Sequence, residues 1–160
     1  MRNFLALTLL SALLGLTNAQ SLCPPLFIEF FADPAVPMPT CIHFAMDAKR
    51  DWHAAKDYCK ANSGSSLAML DAGNLHYEII DYILGNPAWM DEGFHIGCTD
   101  EIHEGTWLWT DGTPVSTGLP HWYPGQPDGY TKENYCCLYY TDFMYNSCKN
   151  GQMLYTICMI

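Results

Sequence analysis

The sequence predicts an α+β domain: two helices and small antiparallel sheets around a long loop region, braced by disulfides. Three observations carry that expectation. Two segments with helical periodicity precede several short apolar runs, which puts helices and strands in separate stretches of chain. Residues 112–135 are dense in Gly, Pro, Asp and Tyr and hold neither periodicity, and loops of that length in a compact domain are usually functional or disordered. All eight cysteines (Cys23, Cys41, Cys59, Cys98, Cys136, Cys137, Cys148 and Cys158) lie downstream of an apolar leader, and an even number in an exported chain reads as four bridges.

Residues 1–19 have the form of a secretory signal peptide, with Arg2 as the positive start, an apolar stretch over 4–16 and Thr17-Asn18-Ala19 as a small-residue cleavage site. The run is too short to cross a bilayer core of ~30 Å as a helix, so a secreted, extracellular domain over 20–160 is expected, with no membrane insertion. The prolines from Cys23-Pro24-Pro25 through Pro34, Pro37 and Pro39 exclude a helix before Cys41 and favour extended chain or loop. Asp51 is placed to cap a helix over Trp52–Ala61, with Trp52, Ala55 and Cys59 on one face and Gly64 just past its end. Leu67-Ala68-Met69-Leu70 reads as a short buried strand or turn. A second helix is predicted from the cap Asp71 to about residue 84, with Leu75, Ile79, Tyr82 and Ile83 inward, stopped by Gly85-Asn86-Pro87.

Strands follow. Residues 94–98 form an apolar run, and Thr106-Trp107-Leu108-Trp109 alternates ahead of a turn at Asp111-Gly112. Residues 135–140 and 154–159 read as two further strands. No internal repeat and no second domain is visible.

Seven Lys and Arg stand against seventeen Asp and Glu, a formal net charge of −10 at pH 7, and cleavage of the leader removes one of the positive charges, Arg2. Such a surface repels nucleic acid and anionic membranes, so neither is expected as a partner. No Asn-x-Ser/Thr sequon is present. Cysteine and histidine spacings contain no paired Cys-x-x-Cys or His-x-x-x-His set for zinc. His103-Glu104 lacks the second histidine of a zinc protease, and Gly64-Ser65-Ser66 lacks a nucleophile elbow. The carboxylate pairs Asp91-Glu92 and Asp100-Glu101 are adjacent, so on extended chain they point apart. An enzyme is not expected.

Over residues 23–158 the chain resembles a C-type lectin-like domain, and the pieces arrive in that family's order. Cys23-Pro24 and Cys41-Ile42-His43-Phe44 precede the Trp52/Ala55/Cys59 helix and Leu67-Ala68-Met69. His95-Ile96-Gly97-Cys98 stands at the family's Trp-Ile-Gly-Leu core strand, followed by Glu104-Gly105 and Trp107-Leu108-Trp109. Trp122, Gly125-Gln126-Pro127-Asp128, Glu133-Asn134, Cys136-Cys137, Cys148 and Tyr155-Thr156-Ile157-Cys158 complete the set.

The resemblance implies bridges Cys59–Cys158 and Cys23–Cys41, and a third from Cys136 or Cys137 to Cys148. Cys137-Leu138 is similar to the family's Cys-apolar step, which favours Cys137–Cys148 and leaves Cys98–Cys136. It also implies a calcium ion held by Gln126, Asp128 and Glu133, with sugar hydroxyls completing the shell; the Gln-Pro-Asp form is the variant associated with galactose-type sugars. Pro127 is commonly cis in the family, which would turn Gln126 and Asp128 to one side of the loop. Trp122 is positioned to pack under the loop, and Tyr123 or Tyr130 to stack on a sugar's apolar face.

One departure stands out. The family's Trp-Asn-Asp before the last loop cysteine is Phe143-Met144-Tyr145 here, and neither Met144 nor Tyr145 is a hard-oxygen ligand of the expected kind. Asp142 or Asn146 could substitute only if the short loop were re-registered. Two expectations follow: a secreted lectin for microbial or cell-surface glycans of the kind used in innate immunity, calcium-dependent, or a calcium-independent module that contacts a protein, lipid or mineral surface. Single sugar sites are shallow, so useful avidity calls for a homo-oligomer or clustered ligands, although no heptad repeat encodes one.

Overall fold

The computed structural model describes residues 21–118, 120–139 and 142–160, so the expected leader lies outside them. Helix α1 (Trp52–Ala61) begins where the spacing predicts: Asp51 is extended, at φ −72° and ψ 169°, and its carboxylate accepts the Ala54 N–H at 2.8 Å. Trp52, Ala55 and Cys59 are buried. The Trp52 indole stacks on Tyr135 at 4.9 Å and donates its N–H to the Ile96 carbonyl at 2.9 Å.

Helix α2 (Leu75–Leu84) differs at its start. Asp71 does not cap it; the cap position falls on Asn74, whose side chain makes no cap bond. The cause is tertiary. The Asn74 N–H donates to the Ala32 carbonyl at 3.1 Å, and Gly73, at φ +51°, packs so closely on Ala32 that the turn is pinned before the helix begins. Leu75, Ile79 and Ile83 face inward and Tyr82 is half-buried. His76 is also buried there, which hydrophobic periodicity did not reveal.

The described residues form eight strands: β1 (Ile28–Phe30), β2 (Thr40–Arg50), β3 (Ser66–Leu67), β4 (Phe94–Thr99), β5 (Leu108–Trp109), β6 (Tyr135–Leu138), β7 (Tyr145–Cys148) and β8 (Leu154–Met159). Their hydrogen-bonded order is β1-β2-β8-β4-β6-β7, with β3 on β8 and β5 on β4. Only β4 and β8, in the middle, run parallel. They are far apart in sequence, and a long connection permits what a hairpin forbids. The sheets are therefore joined into one ladder through a parallel pair rather than being separate and antiparallel. Strand β6 ends at Leu138, short of the expected residue 140. Strands β2 and β7 were not legible from periodicity. Gly97 in β4 has no room for a side chain, since a Cβ would lie 2.7 Å from the Leu67 carbonyl oxygen.

Four disulfides brace this frame. Cys23–Cys41 closes the N-terminal flap onto β2, and Cys59–Cys158 ties α1 to β8. Cys136 and Cys137 alternate across β6, so they serve opposite sides. Cys136 joins Cys98 within the main core, and Cys137 joins Cys148 in a small cluster with Leu154.

The main core contains Phe94, Trp122, Phe143 and Tyr145, all almost wholly buried. Trp107 meets Trp122 edge-on at 5.1 Å. His76 fastens α2 to the base of the long loop. Its Nε2–H donates to the Phe143 carbonyl at 3.1 Å, so in the neutral ring Nδ1 is left to accept from His121 Nδ1–H at 3.0 Å. Burial holds His76 down to about 4, with the neighbouring His121 opposing its charge further.

Candidate functional site

The loop that carries Gln126 is held from below by the start of β7. Tyr145 donates its N–H to the His121 carbonyl at 2.8 Å and accepts the Tyr123 N–H at 2.9 Å, so Trp122 lies alongside Tyr145 as a parallel bridge. The Tyr145 hydroxyl reaches Leu70 O at 2.8 Å. Trp122 lies under the loop, fully buried, and donates its indole N–H to the Ser116 carbonyl.

Gly125, at φ +94°, makes the turn into a cis Gln126–Pro127 peptide. Gln126 then bridges two elements. Its side-chain oxygen accepts the Ser147 N–H at 2.8 Å and lies 2.7 Å from the Ser147 hydroxyl, while its Nε2 donates to Asp128 Oδ1 at 2.6 Å. The Asp128 N–H reaches the Ser147 oxygen at 3.3 Å, and Glu133 Oε2 lies 3.2 Å from it. A serine hydroxyl has a single proton to give. Gln126, at 2.7 Å, and Glu133, at 3.2 Å, therefore compete for it. Glu133 leaves the short 3-10 turn Tyr130–Lys132 and packs so closely on Gly129 that no other residue fits there without displacing it.

Gln126, Asp128 and Glu133 therefore come together, and Ser147 is the hub that joins them. Of the two residues proposed as substitutes, Asn146 stands beside the loop residues. Tyr145 is drawn into the aromatic core, and Asn146 and Ser147, not Met144 and Tyr145, line the face next to Gln126, Asp128 and Glu133. The sequence signal for this was the aromatic character of Tyr145 itself, which suits the core position of the family's Trp.

A second side of the loop was missed. A cleft of about 340 Å³ is lined by Asp100, Glu104, Trp107, Asp128, Tyr130 and Glu133, among others. Asp100 is only 3% exposed. Its Oδ2 accepts the Gly105 N–H at 2.8 Å, but its Oδ1 is buried without a partner. Burial pushes the Asp100 carboxyl up, and burial together with the Asp100 charge pushes Glu104 up. The adjacent pair Asp100-Glu101 does point apart, yet Asp100 and Glu104 meet across the turn that follows β4. Glu101 instead joins a surface group, accepting the Tyr135 hydroxyl at 2.9 Å. The i to i+4 spacing across a Gly105 turn was the readable clue.

A hard cation suits these groups. The donors are all oxygen, Asp100 Oδ1 is an acceptor with nothing bound, and the Asp100 and Glu104 charges repel one another. Among the described residues no three His, Cys, Asp or Glu side chains are gathered tightly enough to hold a metal by themselves. Amide, hydroxyl or main-chain oxygens would have to complete a shell.

A disulfide-braced α+β frame presenting a cis-proline loop of carboxamide and carboxylate groups defines a lectin-like binding domain. Residues 48–160 match the family model described as the Lectin C-type domain. The chain belongs to the C-type lectin domain family. It is 28% identical over 118 residues to the Hepatic lectin of Gallus gallus, covering 74% of this chain and 53% of that protein. It is 27% identical over 121 residues to Asialoglycoprotein receptor 1 of Rattus norvegicus, covering 76% and 37%. The chain thus spans about half, or less, of the length of these curated relatives. The mouse scavenger receptor C-type lectin carbohydrate-recognition domain superposes with a TM-score of 0.70 at 28% identity, covering 86% of this chain and 95% of that one. A calcium-independent type II antifreeze protein superposes with a TM-score of 0.69 at 21% identity, covering 86% and 93%, a likeness of fold alone.

Proposed function

We propose that the protein is a secreted lectin that binds glycans with galactose-type hydroxyl geometry at the Gln126–Asp128 loop, with calcium as its cofactor. The observation that carries this reading is the gathering of Gln126, Asp128 and Glu133 around Ser147, beside a cleft also lined by Asp100 and Glu104. Asp128 and Glu133 would hold the ion, with Gln126 and Asn146 supplying amide oxygens and with Asp100 and Glu104 adding negative charge along the neighbouring cleft. When bound, calcium would neutralise the carboxylates and offer open positions to two vicinal hydroxyls. The chain's own residues do the rest. Gln126 and Asp128 accept from and donate to those hydroxyls, and Tyr130, which is 78% exposed on the cleft, offers an apolar ring face to the sugar. The disulfides limit the ordering cost of binding. Glycans on microbial or cell surfaces are the ligands this suits, and clustered copies would supply avidity.

A second reading has its own support. Gln126 spends its side-chain oxygen on the Ser147 main chain, and Met144 and Tyr145 supply no ligand, which favours a calcium-independent module for a protein, lipid or mineral surface. Calorimetry with Ca²⁺, followed by binding to a galactose-bearing glycan with and without chelator, separates the two. Heat on calcium addition and chelator-sensitive glycan binding, both lost in Asp128→Ala, support the lectin. Glycan binding that ignores chelator, or its absence with no calcium heat, leaves the second reading.

A further inference from the structure

Away from the Gln126 loop, two clefts of about 190 and 230 Å³ share Lys56 and Thr110 as walls. We propose that together they form one groove along α1 that binds a small amphipathic monoanion: an apolar ring or short chain ending in a single sulfonate, sulfate or carboxylate. Three observations carry this.

The first cleft is walled by Trp52, Leu108, Trp109 and Ile102, and Ile102 is 80% exposed. An apolar body entering there removes that side chain from water, worth ~25 cal/mol per Å² covered. The second cleft adds Leu67 and Met69 and brings in Lys60, one turn from Lys56 on the same face of α1. Among the described residues Lys49 is paired with Glu92 and Arg50 with Asp47, whereas Lys56 and Lys60 carry no ion pair. In a chain of net charge −10 these two ammonium groups form a cationic spot with no counter-ion.

The third observation lies at the junction. Thr110 lines both clefts, so a single molecule lying along them passes over it between the apolar wall and the lysines. Two carboxylates also line the groove and limit what it accepts. Asp100 stands in the first cleft, and Asp111, whose Oδ1 accepts both the N–H and the hydroxyl of Thr113, stands in the second. They exclude a second negative charge, hence a monoanion with its apolar part toward Trp109 and its head toward the lysines. Apart from Asp100, which borders both, the groove shares no residue with the site of the lectin reading, and it needs no calcium.

Titration of the refolded chain with 1-anilinonaphthalene-8-sulfonate, read by its fluorescence in the presence of chelator, tests this. Saturable binding at one site per chain, displaced by decanoate, is expected. The double variant Lys56→Glu with Lys60→Glu, and separately Ile102→Asp, should each weaken it by at least about tenfold, the loss of ~1.4 kcal/mol. All three positions are solvent-exposed, so folding is retained, and Asp128→Ala should leave binding unchanged. Binding that fails to saturate, or that is equal in wild type and in both groove variants, overturns the proposal.

Discussion

The side-chain oxygen of Gln126 accepts the Ser147 N–H at 2.8 Å, locking the tip of the long loop to strand β7. That single contact converts two stretches separated by 21 residues into one surface. It also explains how a chain lacking Asn and Asp at positions 144 and 145 still gathers oxygens: Asn146 and Ser147 take the positions that face the loop.

Ser147→Ala removes the hydroxyl on which Gln126, Asp128 and Glu133 converge. The variant should lose ~1–2 kcal/mol of stability, a buried hydrogen-bonded hydroxyl's usual worth, and bind glycan more weakly. Urea unfolding and glycan binding at fixed calcium check both. Unchanged unfolding would remove Ser147 as the hub.

Asp100→Asn should have opposite effects with and without calcium. The Asp100 carboxyl is raised by burial, so its charged form costs stability above that raised pKa, and the cost is relieved as pH falls through it. In chelator at neutral pH the Asn variant, which keeps an acceptor for the Gly105 N–H, should therefore melt higher than wild type. In saturating calcium it should melt lower, because a negative charge beside the ion is gone. Parallel melting curves in both conditions would sever Asp100 from any ion.

The cysteines should not be equal. Cys59–Cys158 encloses 99 residues and Cys23–Cys41 encloses 18. In the chain-entropy account the longer loop contributes ~4.7 kcal/mol against ~3 kcal/mol, and it also tethers β8 to α1. Cys59→Ser should lower the unfolding free energy by more than Cys23→Ser, measured by denaturant titration. Equal losses would contradict the ranking.

His76 predicts acid sensitivity. Its pKa falls from 6.5 when exposed to about 4 in the fold, so the unfolded chain takes the proton first. Its contribution is complete above pH 6.5 and is lost as pH falls toward 4, on the order of 3 kcal/mol. Stability measured across that window should decline in wild type and flatten in His76→Gln. An identical slope in both would assign the decline to other groups.

Much of the frame was legible in the sequence. The Asp51 cap and the Trp52/Ala55/Cys59 face are local, fixed by hydrogen-bond geometry and helical spacing within one turn or two. The Gln126-Pro127-Asp128 loop was legible too, because a motif of turn-forming and polar residues is contiguous. Strand β7 was not, since four residues of mixed polarity carry no period.

The start of α2 and the register of β7 had to come from tertiary structure. Asp71 has every local qualification for a cap, yet the Ala32 carbonyl on a distant flap captures the Asn74 N–H and moves the helix start. Asp100 was dismissed on alternation alone, which speaks of extended chain but not of the turn that brings Glu104 beside it. The sequence by itself determined the even set of cysteines, the α1 cap and face and the loop chemistry, because those are read from residue types and neighbours along the chain, whereas the pairing of the cysteines was implied by the family resemblance. Only the tertiary structure decided which oxygens face one another. Tyr145 sinks into an aromatic core assembled from Trp109, Trp122 and His76, and burying that ring sets the register of every residue after it.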